Sequence, residues 1–303
     1  MIDADALRYF LEVARTRRLV AAGQRLGVNH TTVSRRIAAL ERSLGVRLFD
    51  RAPSGWVLTD AGHRLLAHAE AVESTLLAAM DSIATGGRLS GTVRIATPDG
   101  FGAFLLAPNL AELCAKHPDL DIQIVTATRQ DVVATREFDI AVTLEPPSPR
   151  SVEVSELADY KLGLFATRGY LAAHPRITRV LDLRDHRLIG YVDALLDIPA
   201  LRILDDILPG LRVSIQTNNI TGQWTAVAGG LGVAVLPRYL GDSDPRLERV
   251  LAEEVTVTRK YWLVVPRDLH RLARVRTAVA MLRTLVATQD GLIPRDSAAS
   301  RVT

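Results

Sequence analysis

The segment Gly86-Gly87-Arg88-Leu89-Ser90-Gly91 divides the chain into two parts whose apolar residues follow different periods. Before it, apolar positions recur at three- and four-residue steps, the spacing of one helix face. After it, strands expected at Val93–Ala96, Ile122–Val125 and Ile140–Leu144 alternate with helices over about Phe104–Lys116 and Gln130–Arg136, the pattern of βαβ units. A second set runs from Lys161–Ala166 to Trp262–Val265 before a last helix near Leu272–Thr288. A chain of 303 residues also exceeds what one hydrophobic core usually serves, so two domains are expected. The boundaries read from the pattern are residues 1–59 for a small helical domain, 60–91 for a linker helix and hinge, and 92–289 for a larger domain of two α/β lobes. Residues 290–303 lack apolar periodicity and are predicted to be a disordered tail.

In the first part, Leu7, Phe10, Leu11 and Ala14 predict a helix from Asp5 to Thr16, and Leu19, Ala22, Gly23 and Leu26 predict a second, stopped by Gly27. After the turn Gly27-Val28-Asn29, a third helix from His30 to Ser43 buries Val33, Ile37, Leu40 and Leu44 and leaves a short basic polar face. Two short helices joined by a tight turn, the second opening with His, Thr, Ser and Arg, have the layout of a helix-turn-helix. Extended segments around Pro53-Ser54-Gly55 read as a hairpin, or wing, with Thr59 as N-cap of the next helix. That helix, Asp60 to Ala84, spaces Leu65, Ala69, Val72, Leu76, Ala79 and Ile83 as a heptad seam. The seam predicts a partner helix and a homodimer; the alternative is a helix lying on its own domain.

Charge is distributed to match. The first 64 residues hold 11 arginines against 6 acidic residues, and the remainder holds 26 basic against 28 acidic. The positive excess therefore sits on the part with the helix-turn-helix, where a DNA partner needs it. No run approaches about 18 apolar residues, and Asp3 and Asp5 stand where an export signal is basic, so no membrane partner and a cytoplasmic location are expected. The single cysteine, Cys114, has no Cys or His at metal-site spacing; it is read as a buried small hydrophobe, and no metal or cofactor is expected. An enzyme is the rival class, since an α/β fold can host catalysis. The sequence has no Gly-x-Ser-x-Gly elbow, no Walker loop and no dinucleotide fingerprint after the first strand, so no catalytic residue is assigned. A secreted solute-binding protein would need an export signal and no helix-turn-helix.

Phe10, Ala21-Ala22, Leu26-Gly27-Val28, Val33-Ser34-Arg35-Arg36-Ile37, Leu40-Glu41, Leu44-Gly45, Leu48-Phe49, Arg51 and Leu58-Thr59-Asp60-Ala61-Gly62 together resemble the N-terminal signature of LysR-type transcriptional regulators. Phe101-Gly102, Leu106-Ala107-Pro108, Phe138-Asp139-Ile140-Ala141-Val142 and the run from Gly230 to Pro237 resemble the same family more loosely, so the resemblance spans nearly the whole chain. It implies an α/β protein with a mainly α-helical N-terminal winged helix-turn-helix, a long dimerising linker helix, and a two-lobed C-terminal domain like the periplasmic binding proteins. The implied partners are double-stranded DNA, a small-molecule effector, and further copies of the chain as a homodimer or homotetramer, with RNA polymerase as a candidate. One departure stands out: the family often has Gly-Ser where this chain has Arg17-Arg18, which leaves Thr16 or water to cap the second helix.

For DNA, the first turn of the third helix offers His30, Thr31 and Thr32, with Ser34 and Arg35 in the next turn. Arg35 can give two parallel bonds to a guanine edge, roughly 1 to 3 kcal/mol of discrimination, or it clamps a phosphate. Thr32 reads a base or packs the helix. Arg18 is expected at the DNA backbone or is a plain solvated arginine, and Arg51, at the wing, is expected at a phosphate or the minor groove. In a two-lobed α/β domain a ligand lies between the lobes, beyond the C-terminal ends of strands and near helix N-termini. Thr97, Pro98, Asp99, Gly100 and Phe101 follow the first strand and form the leading cleft segment; Thr126, Thr128, Tyr191, Asn218 and Asn219 join them. The resemblance to the LysR family implies small hydroxyl residues at these positions that help bind effector carboxylates. Asp99 argues against a simple anionic effector, unless it caps its own helix.

Overall fold

The computed structural model describes residues 3–52, 55–83, 89–126, 138–147, 152–196, 198–267 and 269–295. Two compact units emerge, one built on Met1–Gly87 and the other on Arg88–Arg267 and Arg274–Thr303.

In the first unit, α1 (Ala4–Thr16), α2 (Leu19–Leu26) and α3 (His30–Leu44) pack around Phe10, Leu11, Val13, Ala22, Val33 and Ile37, all at most 1% exposed. The sharp α2–α3 turn depends on Gly23, where a Cβ would lie 2.7 Å from the Val28 carbonyl oxygen. Strands β1 (Phe49–Ala52) and β2 (Gly55–Leu58) form the antiparallel wing. Thr59 caps α4 (Asp60–Ile83), its hydroxyl accepting from Gly62 N at 3.1 Å.

Thr16 does not cap α2: its hydroxyl donates to the Glu12 carbonyl at 2.7 Å. Arg18 occupies the N-cap position with no side-chain bond, and Arg17 takes the left-handed conformation, φ 56°, that ends α1. The conformation is used, because the Arg17 carbonyl accepts from Trp56 N of the wing at 2.9 Å.

The second unit carries one continuous sheet, ordered β4-β3-β5-β11-β6-β9-β7-β8, with β10 and β12 also on β6. In chain order the elements are β3 (Ser90–Thr97), α5 (Asp99–Phe101), α6 (Ala111–Lys116), β4 (Asp119–Thr126), β5 (Ile140–Thr143), β6 (Val152–Thr167), α7 (Arg168–Ala173), β7 (Leu188–Tyr191) and α8 (Ile203–Ile207). Then follow β8 (Val213–Thr217), α9 (Ile220–Ala228), β9 (Val233–Pro237), α10 (Arg238–Gly241), β10 (Leu247–Val250), β11 (Val257–Pro266), α11 (Ala273–Thr288) and β12 (Leu292–Pro294).

The long antiparallel pair β6–β11 joins two lobes. Its Trp262–Val264 stretch pairs with β5 in the first lobe, its Leu162–Phe165 stretch pairs with β9 in the second, and a register shift falls between them at Tyr261/Trp262.

Four expectations need correction. The helix expected over Phe104 to Lys116 begins at Asp99, widens to π geometry over Gly102–Leu106 and breaks at Leu110 before α6. The expected strands Lys161–Ala166 and Trp262–Val265 are the ends of the much longer β6 and β11. Part of the expected tail is ordered, with Leu292–Pro294 paired to Ala158–Tyr160. Cys114 is exposed rather than buried, since α6 buries Leu113 and turns its neighbour outward. The helix expected over 130–136 lies outside the described residues.

Candidate functional site

The α3 N-terminus is rigidly set. Asn29 caps it, its side-chain oxygen accepting from Thr31 N at 2.9 Å and from the Thr31 hydroxyl at 3.0 Å. His30, Thr31 and Arg35 are exposed on this turn, while Thr32 and Ser34 are half-buried. Thr31 is thereby oriented by its own cap. Arg36 turns toward α1, 3.7 Å from Asp5 and over the Tyr9 ring; Arg35 has no acidic partner among the described residues. On the wing, the Arg51 guanidinium lies 5.3 Å above its cross-strand neighbour Trp56, which packs on Phe49. Arg18 is exposed. One positioning residue was not foreseen: the Glu41 carboxylate accepts from Leu48 N at 2.8 Å and Phe49 N at 3.2 Å, tying α3 to the start of the wing. Its place in the Leu40-Glu41 motif was the signal.

Along α4 the expected seam splits. Ala69, fully buried, and Leu65 pack into the core of their own domain, and Arg15 of α1 pairs with Glu73 at 2.5 Å. Leu65 and Ala69 therefore face their own domain. Val72 and Leu76 are 39% and 50% exposed, and Ala79 is also exposed. The Ile83 side chain lies outside the described residues.

Between the lobes, β3 ends at Thr97, which is 2% exposed with its hydroxyl unpartnered among the described residues. Pro98 precedes the helix, and Asp99 does not cap it. Instead the Asp99 carboxylate crosses to the second lobe and accepts from Thr221 N at 2.9 Å and the Thr221 hydroxyl at 2.7 Å. It thus satisfies a free donor in the first turn of α9, where a helix favours an anion. Asn219 is the N-cap of α9 through Gly222 N at 2.7 Å, and exposed Asn218 accepts from Asn219. The backbones approach closely, for a Cβ on Gly100 would lie 2.7 Å from Ile220 Cγ2. Phe104 meets Trp224 edge to face across the same gap. Phe101 packs on Tyr261, which stacks on Tyr160 and shares a 2.8 Å hydroxyl contact with Tyr239. Burial pushes the hydroxyls of Tyr160, Tyr239 and Tyr261 up from their ordinary range, so they stay protonated. Thr126 is exposed at the end of β4, Tyr191 is half-buried at the end of β7, and Thr128 lies outside the described residues.

This geometry has relatives. The profile described as "Bacterial regulatory helix-turn-helix protein, lysR family" matches residues 4–63, and the LysR substrate binding domain matches residues 86–287. The chain belongs to the LysR family. The HTH-type transcriptional regulator CbbR of Sinorhizobium medicae is 30% identical over 276 residues, covering 88% of this chain and 87% of that protein. The Mau operon transcriptional activator of Paracoccus denitrificans is 27% identical over 260 residues, covering 86% and 88%. Among solved structures, a full-length OxyR variant from Pseudomonas aeruginosa matches with TM-score 0.74 at 18% identity, covering 98% of this chain and 99% of that one. ArgP from Mycobacterium tuberculosis gives 0.71 at 19%, covering 98% and 100%. These two likenesses carry the fold. The protein is a LysR-type transcriptional regulator with a helix-turn-helix for DNA and a substrate-binding domain for an effector. Among the described residues, no helix of this LysR-type chain is long and apolar enough to cross a membrane.

Proposed function

We propose that this regulator reads its operator with His30, Thr31, Thr32, Ser34 and Arg35, positions itself on phosphates with Arg18 and Arg51, and works as a homodimer or a pair of dimers joined through the exposed stretch of α4. The observation that carries this reading is the exposed first turn of α3, fixed by Asn29 and followed by an arginine with no acidic partner among the described residues. A guanidinium held by an ion pair in its own domain would have to break it to reach a base; Arg35 does not. Val72 and Leu76 on α4 supply apolar area that association would cover. A regulator that works on bacterial DNA acts in the cytoplasm, with RNA polymerase as a further partner.

The effector belongs between the lobes, among Thr97, Asp99, Thr126 and Asn219, where it would favour one arrangement of the lobes over another. Because Asp99 already supplies the anion at the α9 N-terminus, an effector carboxylate would have to displace it. Nothing in the family's character as transcriptional regulators calls for catalysis, and none is proposed. Selecting fragments of the source genome with the full chain tests the reading. A recurrent sequence with two half-sites in register with a dimer is the expected product, and recovery of fragments without a shared sequence would contradict it.

A further inference from the structure

The second lobe holds a half-open cavity of about 240 Å³ that, among the described residues, none from the first lobe lines. Strands β7, β8 and β9 and the segment from Asp193 to Asp205 form its walls, and the lining is largely aliphatic, with Ile189, Leu201, Ile203, Val213 and Val235. Gln223 lines it too. This glutamine, on the buried face of α9, is 2% exposed, and its amide Nε2 has no partner among the described residues. A buried donor left unbonded among aliphatic groups costs stability, and native chains rarely keep one without a use. The charges at the wall do not favour an anion: Arg202, the one cation among the described lining residues, is held by Asp193 at 2.8 Å, and Asp205 adds a further acid.

We propose that this cavity binds a small neutral molecule with an apolar body and a carbonyl-type acceptor directed at Gln223 Nε2. A cavity of about 150 Å³ holds benzene. By the same packing, this one accommodates a ligand of about ten non-hydrogen atoms. An acceptor gives the Gln223 amide a partner, and the aliphatic lining takes the body from water. Gln223 lies two residues beyond Thr221, which holds Asp99 across the cleft, so a ligand here touches the helix on which the lobes meet. The consequence for DNA binding rests on the effector reading above; the binding itself does not.

The test is calorimetric titration of the full chain with acetophenone, cumene and benzoate, which are similar in size but respectively a neutral ketone, a hydrocarbon and an anion. Saturable acetophenone binding is expected, with cumene roughly tenfold weaker, the worth of one hydrogen bond, and no benzoate binding. In Gln223→Leu the acetophenone affinity should fall to that of cumene, while the Tm of the unliganded protein holds or rises, since an apolar group replaces an unmet amide. Equal binding of benzoate and acetophenone, an unchanged preference in Gln223→Leu, or no binding of any probe would overturn the assignment. Leu204→Trp fills the cavity by a second route and should abolish acetophenone binding with the circular dichroism unchanged; retained binding would also overturn it. Operator affinity with and without acetophenone is read separately. Gln223-dependent binding with unchanged operator affinity would support the cavity and count against effector control through it.

Discussion

Arg35 and Arg51 are both exposed arginines of the first unit, yet they are held differently, and the roles proposed for them follow from that difference. Arg51 rests on Trp56, which fixes it as a point of positive charge on the wing; Arg35 projects from a capped helix turn. Arg35→Ala should therefore weaken operator binding more than binding to scrambled DNA, by about 1 to 3 kcal/mol of lost discrimination. Arg51→Ala should weaken both alike, and parallel titrations on the two DNAs separate the cases. In the cleft, Asp99→Ala removes the acceptor for two Thr221 donors and should lower the stability of the second unit by about 1.5 to 3 kcal/mol, read by denaturant unfolding; unchanged stability would mean that the link is not formed in solution. That an acid sits in the cleft was legible from its place after β3. Its partner was not, because Thr221 stands 122 residues along the chain and no local spacing marks it.

At the scale of elements, α4 was legible as a helix from its period, but its heptad spacing could not distinguish the residues covered by their own domain from those left open. Ala69 and Leu76 share one stripe, and the docking of α1 covers only the former. Leu76→Asp should thus leave the first domain folded while placing a charge in the proposed interface, so scattering mass and operator affinity should fall together; an unchanged dimer with full affinity would put the interface elsewhere. The length of β6 escaped the sequence reading because Ser155, Glu156 and Asp159 interrupt its apolar pattern where the strand passes between lobes. On α9, Trp224 donates to Asp244 at 2.9 Å, and the Arg246 guanidinium, with that indole N–H, lowers the Asp244 pKa to about 2. A carboxylate depressed in the folded state stabilises above its unfolded value of about 4 and loses that contribution as pH falls toward the folded one. Acid unfolding of Asp244→Asn should therefore show a shallower loss of stability between about pH 4 and 2 than the parent.

At the scale of the molecule, the sequence divides function as it divides charge, with the arginine excess and the helix-turn-helix in the first unit and the substrate-binding domain in the second. Effector control requires only that a ligand bind two arrangements of the linked copies unequally; a ligand with equal affinity for both changes nothing. The central claim is that specific DNA binding resides in the helix-turn-helix unit, and salt titration of operator binding tests it most directly. The full chain should bind with an affinity that falls linearly in log–log form, by about 0.9 in slope for each phosphate neutralised. A chain restricted to residues 92–303 should not bind. Equal operator binding by that truncated chain, or binding by the full chain that ignores salt, would contradict the account.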